Sequence, residues 1–421
     1  MRKYYSVPLL FFSVAALLGL FLRWQFVEPT PGIRFTYFVH GHSHVMFLGW
    51  VFNVLYLFSI EDHIDVNRRR RYLQLFVFLQ VLVFAMMISF PIQGYGAFSI
   101  AFSTAHTLAV MVFIPVFFRH ASGSSLASIW FLKAAWIFFF ISTLGPFALG
   151  YLMASGMGNR VWNNFSIYYY LHFQYNGFFL FGILSLFFRF LEQRKMRINH
   201  VRLKKLGWLM AVACVPAYFL SVLFAKPAEF FYWLAATGAL AQLIAFILLI
   251  IELIGIAVDL KHSIKPILLR VGYLILAAVV LKTLLQLASA HPYVAELAFS
   301  MRPVVIAYLH LVLVGIISLF LFAWYMQRGF MNGRIATAAM VSLLIGYFGS
   351  EIALVLMPWW SSTPLSDIPP QTLIFALTIL MALAGILFLI AFVQKGIEGS
   401  ESLAKPEMGP STDRYTGATV S

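Results

Sequence analysis

The sequence predicts an all-α integral membrane protein of twelve transmembrane helices. Three observations carry this reading. The 421 residues are 62% hydrophobic and only 10% charged, against about 25% charged residues in soluble chains. The apolar residues fall in continuous runs long enough to cross a hydrocarbon core, which takes roughly 20 residues per helix. The basic residues alternate from loop to loop. A membrane β-barrel would instead alternate polar and apolar residues within short strands.

Reading along the chain, spans begin near Tyr5, Phe38, Tyr72, Ala97, Leu126, Phe165, Lys205, Glu229, Pro266, Pro303, Ile335 and Gln371, and the last ends near Val393. Residues 1–393 thus form one membrane domain. The segment from Gln394 to Ser421 is polar and reads as a disordered tail. The first run, about Tyr5 to Val27, is long enough to span and is followed by no small-residue cleavage site, so it reads as a helix rather than a removed signal.

The net charge of +14 raises the question of nucleic acid, but the positions of the charges answer it as topology. With the N-terminus, the tail and the loops after even-numbered spans on one side, all but six of the 29 Lys and Arg residues fall on or near that side. They include Arg68 to Arg71 and the run Arg194, Lys195, Arg197, Arg202, Lys204 and Lys205. The six others are Arg23, Arg34, Arg160, Lys226, Lys282 and Arg302. The excess of basic residues marks the cytoplasmic face, so both termini are expected there, with membrane lipids as partners and no nucleic acid. Cys214 is the single cysteine, which excludes a disulfide framework and any cluster built from several cysteines.

A faint repeat runs through the chain. His44, His172 and His310 are each followed five residues later by a glycine: Gly49 in HVMFLG, Gly177 in HFQYNG and Gly315 in HLVLVG. The copies fall in spans two, six and ten, at a depth of roughly 10 Å from the outer helix end at 1.5 Å per residue. A glycine one turn from a ligand lets a flat ring approach the backbone; it equally allows close helix packing. Seven of the eleven histidines lie in the outer half: His40, His42, His44, His106, His172, His291 and His310. Histidine inside a membrane faces the bundle interior or a cofactor, and neutral imidazole is the commonest metal ligand. One such residue alone reads as an interhelical hydrogen bond; three in register read as ligands. Phe47, Trp50, Tyr168, Phe173 and Tyr308 stand beside them as candidates to line a macrocycle. His40 and His44, four apart, share a face and make a copper or zinc site conceivable, beside the simpler reading in which His44 alone is a ligand. His63, His120, His200 and His262 read as solvated residues of the basic loops.

Twelve helices with histidines in spans two, six and ten resemble the catalytic subunit of heme–copper oxidases, over Tyr5 to about Val393. The resemblance implies a pseudo-threefold bundle and a low-spin b-type heme held by His44 and His310. In the family's tenth helix a His-x-His pair begins with the active-site heme ligand; here Tyr308 holds that place. His172 matches a ligand of the second metal, and His172-Phe-Gln-Tyr-Asn176-Gly177 is similar to the His-x-x-x-Glu-Gly of nitric oxide reductases, with Asn176 for Glu. The family's two adjacent histidines of helix seven have no counterpart between Lys205 and Ala225. His172 and His106 remain for copper or for an open pocket, with His40 a further candidate. The HGHSH segment also resembles the histidine-rich start of a helix in the NnrS proteins, heme and copper proteins linked to nitric oxide tolerance.

The implied function is heme binding, with copper as a second cofactor, in an inner-membrane protein for electron transfer, diatomic-gas binding or a respiratory or nitric-oxide response. An electron donor and other respiratory subunits are the implied partners. An active oxygen or nitric oxide reductase with rearranged ligands is one alternative, and a transporter of a metal ion or small solute is another; spans four and five carry internal Pro115 and Pro146, and transporter helices are often broken at mid-membrane. Arg23, Arg34, Arg160 and Arg302 are the outer cations available to heme propionates. Lys282 and Gln286 on span nine and Glu351 on span eleven are costly at depth; Lys282 and Glu351 either pair or mark a proton or ion path. Lys133 and Glu252 lie near helix ends, where snorkelling accounts for them.

Overall fold

The computed structural model describes residues 1–123 and 126–404, and the side chains of residues 1–123 and 126–398. It is 85% helical, and no strand occurs among the described residues. Twelve helices are long and apolar enough to cross a membrane. They are α1 (Arg2–Trp24), α2 (Phe35–His63), α3 (Arg69–Gln93), α4 (Ala97–His120), α5 (Ala127–Ala154), α6 (Arg160–Gln193), α7 (His200–Ala225), α8 (Glu229–Ile254), α9 (Pro266–Ala288), α10 (Arg302–Gln327), α11 (Gly333–Ser362) and α12 (Pro370–Ala404). The last helix runs past Val393 into the segment expected to be a tail; residues 405–421 of that segment lie outside the described residues.

Their burial is uneven. α2, α6 and α10 are buried over 83%, 78% and 56% of their most apolar stretch, and the other nine over 44% or less. The three helices that carry the histidine–glycine repeat are therefore the inner ones. Around them α1 packs on α12 and α2, α3 on α4, α5 on α6, α7 on α8, α9 on α10 and α11 on α12. A membrane gives no hydrophobic drive between helices, so close packing and interhelical polar contacts hold them. Trp50 of α2 donates to Ser318 Oγ of α10 at 3.1 Å and stacks on Phe322. Trp136 of α5 donates to Ser59 Oγ of α2 at 3.1 Å. Asn53 of α2 and Gln80 of α3 exchange two amide hydrogen bonds.

The inner helices share a backbone irregularity. Each winds as a π-helix from the residue after its repeat histidine: Val45–Val51, Phe173–Phe179 and Leu311–Ser318. A π turn closes on the fifth residue rather than the fourth, the same interval that separates histidine from glycine. The glycines take side chains of neighbouring helices. A Cβ on Gly49 would lie 2.7 Å from Phe11 of α1, and one on Gly177 would lie 2.6 Å from Phe138 of α5, while Gly315 takes the Tyr347 phenol of α11 still closer. Of the two uses expected for these glycines, close helix packing is the one observed.

At the end opposite the histidines the inner helices are tied by charge. Arg328, just past α10, reaches Glu61 at 3.1 Å and Asp62 at 3.6 Å on α2, and Arg189 of α6 reaches Asp62 at 3.2 Å. Tyr5 adds a hydrogen bond to Glu61. His63 beside this network is only 2% exposed, so it is not a solvated loop residue; α2 continues through it and folds it under Phe58. His120, His200 and His262 keep exposed or half-buried positions. α5 breaks at Thr143 between two helical pieces, since Pro146 has no N–H to continue the ladder; Pro115 sits inside an uninterrupted α4.

Candidate functional site

The histidine end of α2 divides its side chains between two faces, because residues two apart on a helix point in nearly opposite directions. His42 faces α1: its Nδ1 lies 2.8 Å from the Ala15 carbonyl, and its ring rests over Gly19. His44 faces α3. Its Nδ1 lies 2.8 Å from the His40 carbonyl, and its ring stacks on Phe90 at 4.1 Å. His40 shares that face, against Tyr95 at 4.4 Å.

His310 of α10 points Nδ1 at Glu351 Oε1 of α11, 2.9 Å away. The pair corrects one expectation: Glu351 is the partner of His310, not of Lys282. His310 and Arg23 lie within electrostatic reach of His42, and Glu351 lies within reach of Arg23. Arg23, His42, His310 and Glu351, from α1, α2, α10 and α11, thus form one polar cluster. The histidine of α2 that belongs to it is His42 rather than His44. Glu351 leaves its Oε2 buried without a hydrogen-bond partner.

In His42, His44 and His310 the hydrogen-bonded nitrogen is Nδ1, and no hydrogen bond engages Nε2. A proton fixed on Nδ1 by a carbonyl or carboxylate leaves the lone pair on Nε2, the arrangement found in ligating imidazoles. His42, His44, Tyr170 and Tyr308 keep accessible surface although protein surrounds each of them. Tyr95, 41% exposed, covers His40. Trp50 is fully buried against Phe12 and Phe322 and is closed to a ligand.

His106 of α4 is fully buried, edge-on to Phe52 at 5.0 Å, and neither ring nitrogen has a hydrogen-bond partner. His44 lies within electrostatic reach of it. A buried imidazole without partners is costly, and the pair His44 and His106 is the second place where ligating nitrogens stand open.

His172 is different. Its Nε2 lies 2.8 Å from the Cys214 carbonyl of α7, and its Nδ1 lies 3.1 Å from the Asn176 amide nitrogen. Both nitrogens are engaged, so this imidazole ties α6 to α7 and has no lone pair left for a metal. No group of three or more His, Cys, Asp or Glu placed to hold a metal occurs among the described residues. His291 is exposed at the start of a short helix, Pro292–Ser300.

Of the four arginines considered for propionates, only Arg23 joins the cluster. Arg34 is held by the Tyr37 hydroxyl at 2.6 Å. Arg160 lies over the Phe299 ring, and Arg302 is exposed beside it near Tyr168. Lys282 is 3% exposed, with its ammonium over the Phe246 ring. Lys133 and Glu252 are half-buried near helix ends, against Phe118 and Arg202.

No protein-family model matches the chain, and no curated protein matches it.

Proposed function

We propose that the protein binds a b-type heme between α2 and α10, that His42 and His310 would hold it, and that its role is electron transfer. One observation carries the reading: His42 and His310 are neighbours in one cluster, each with Nδ1 anchored and Nε2 open. The residues suit a heme. Glu351 fixes the His310 ring and raises its basicity, as carboxylates behind ligating histidines do. Arg23 is a half-buried cation at the same place, fit to meet a propionate. A single cysteine excludes the paired thioether attachment of a c-type heme, which supports the b-type. When bound through two imidazoles, such a heme would supply one-electron chemistry.

Within this reading the protein's own work is to hold two imidazoles, bury them and neutralise the ligand's acidic groups. His44 and His106 are the residues for a second metal, copper, since imidazole suits it. A reductase of oxygen or nitric oxide draws less support, because His172 is fully hydrogen-bonded. The triple histidine–glycine repeat in the three innermost helices supports the resemblance to heme–copper oxidases and an inner-membrane setting with both termini cytoplasmic.

The test is optical. Purified protein from heme-replete cells is expected to show a reduced Soret and α band. His42→Ala and His310→Ala should each remove it, and His44→Ala should keep it. A colourless, iron-free preparation would overturn heme binding; loss of the band in His44→Ala but not in His42→Ala would return the ligand to His44.

A further inference from the structure

The end of the bundle that carries the ionic ties also carries an open groove of about 660 Å³. Tyr4 of α1, Val66 of the loop before α3 and the first turns of α3 line it. Neither the heme reading nor the packing of the inner helices uses this groove.

Its α3 side is graded from charge to hydrocarbon. Arg70, Leu73, Gln74 and Val77 line it, and a spacing of three, four and seven residues puts them on one helix face. The cation stands at the helix start, and the apolar side chains follow one and two turns deeper. From Arg70 to Val77 the rise is about 10 Å, more than the roughly 5–8 Å of one headgroup layer. The same face continues past the groove as the exposed side chains of Val81, Phe84 and Ile88. The cations of the groove are not neutralised. Arg69 is held by the backbone carbonyls of Ile64 at 3.0 Å and Glu61 at 2.6 Å, which fix its guanidinium without cancelling the charge. The Arg70 side chain is exposed and makes no hydrogen bond or ion pair with the described residues. Lys3 adds a third cation over the Tyr4 ring. Of the nearby acids, Asp65 accepts from the Asn67 N–H at 2.9 Å, and Glu61 is taken by Tyr5 and Arg328.

We propose that this groove binds one anionic phospholipid, with its phosphate at Arg69 and Arg70 and an acyl chain along Leu73 and Val77. Guanidinium is the side chain best matched to phosphate. A soluble anion would meet the cations but leave Leu73 and Val77 uncovered. A zwitterionic lipid would bring an ammonium to a place already held by two arginines and a lysine, where like charges repel. An anionic head joined to a chain answers both levels of the groove, as acidic headgroups do in basic pockets between spans. The bound lipid ties the start of α1 to the start of α3.

The experiment is native mass spectrometry of the full-length protein in detergent, titrated with phosphatidylglycerol or with phosphatidylcholine of the same acyl chains. The expected result is a first phosphatidylglycerol bound more tightly than the first phosphatidylcholine. Arg70→Gln should weaken it about fivefold, the worth of one cation at an acidic lipid surface. Val77→Glu, which puts a carboxylate on the path of the chain, should weaken it as well. Arg334→Gln, an exposed arginine at the start of α11 outside the groove, should leave it unchanged. Arg70 is exposed and unpaired, so its variant keeps the fold. Equal binding of the two lipids overturns the proposal, and so does an Arg70→Gln protein that binds like the parent or an Arg334→Gln protein that loses as much. Displacement of the lipid by glycerol phosphate at equal concentration would assign the groove to a soluble anion and overturn the lipid. The readout does not depend on heme, so a colourless preparation leaves it intact.

Discussion

His310 and His172 hold the same place in the repeat, four spans apart, and have opposite surroundings. Each precedes a π-helical turn and a glycine. His310 is held on one nitrogen by a carboxylate and keeps accessible surface, 30% of its side chain. His172 is 1% exposed and held on both nitrogens by α6 and α7. The first keeps one nitrogen open; the second is a brace. A repeated motif therefore fixes where a residue stands, while the neighbouring helices fix what it does.

The comparison can be broken most directly at the two histidines. His310→Ala should abolish the heme band altogether. His172→Ala should keep the band and lose thermal stability, because the Cys214 carbonyl and the Asn176 amide are left buried without partners, at about 1–3 kcal/mol each. Loss of heme in His172→Ala with the fold intact would erase the distinction. One step weaker, Glu351→Gln keeps the His310 imidazole but replaces the carboxylate behind it. An affinity loss of about 10- to 100-fold is expected, read by heme transfer to apomyoglobin, with the reduction potential rising as the imidazole loses donor strength. An unchanged affinity and potential would mean that Glu351 serves packing alone.

Arg328→Ala tests the other end of the same helices. It leaves Glu61 and Asp62 short of a cation, at a cost of about 2 kcal/mol, between the worth of an exposed ion pair and that of a buried one. A lower midpoint of denaturation with an unchanged heme spectrum is expected; a spectral change would show that the two ends are coupled. The last comparison is at the glycines. Gly177→Ala should cost about 1–3 kcal/mol by overpacking against Phe138, whereas Gly150→Ala, with nothing within 4 Å of the new Cβ, should be neutral or stabilising. Equal melting temperatures for the two variants would remove the packing role.

The twelve spans could be read from hydropathy because a membrane forbids almost every other arrangement of continuous apolar runs. The starts at Ala97, Glu229 and Pro266 coincide with the observed ones. The largest displacements are at α6 and α7, which begin at Arg160 and His200 rather than near Phe165 and Lys205. Both open on an asparagine cap: Asn159 accepts from the Trp162 N–H at 2.9 Å and Asn199 from the Arg202 N–H at 3.0 Å. The capped first turns are polar, so hydropathy passes over them, although the capping residue was there to be read. The site was less readable. Spacing singles out His44, but which of His42 and His44 turns towards α10 depends on helix rotation, and that is set by the packing of α1 and α3. The closure of His172 rests on a backbone carbonyl of α7, which no side-chain pattern reveals.

The π turns also give the inner helices a rotational phase. Each of these helices has two working ends, histidines at one and ionic ties at the other, joined through one wide turn. Deleting a single residue within Val45–Val51 would turn the histidine end of α2 by about 100° against its ionic end. His42 would then swing out of line with His310, while Glu61 and Asp62 kept their places beside Arg328. The wide turn acts as a clutch that sets two faces of one rod independently, and the three inner helices carry it at the same level.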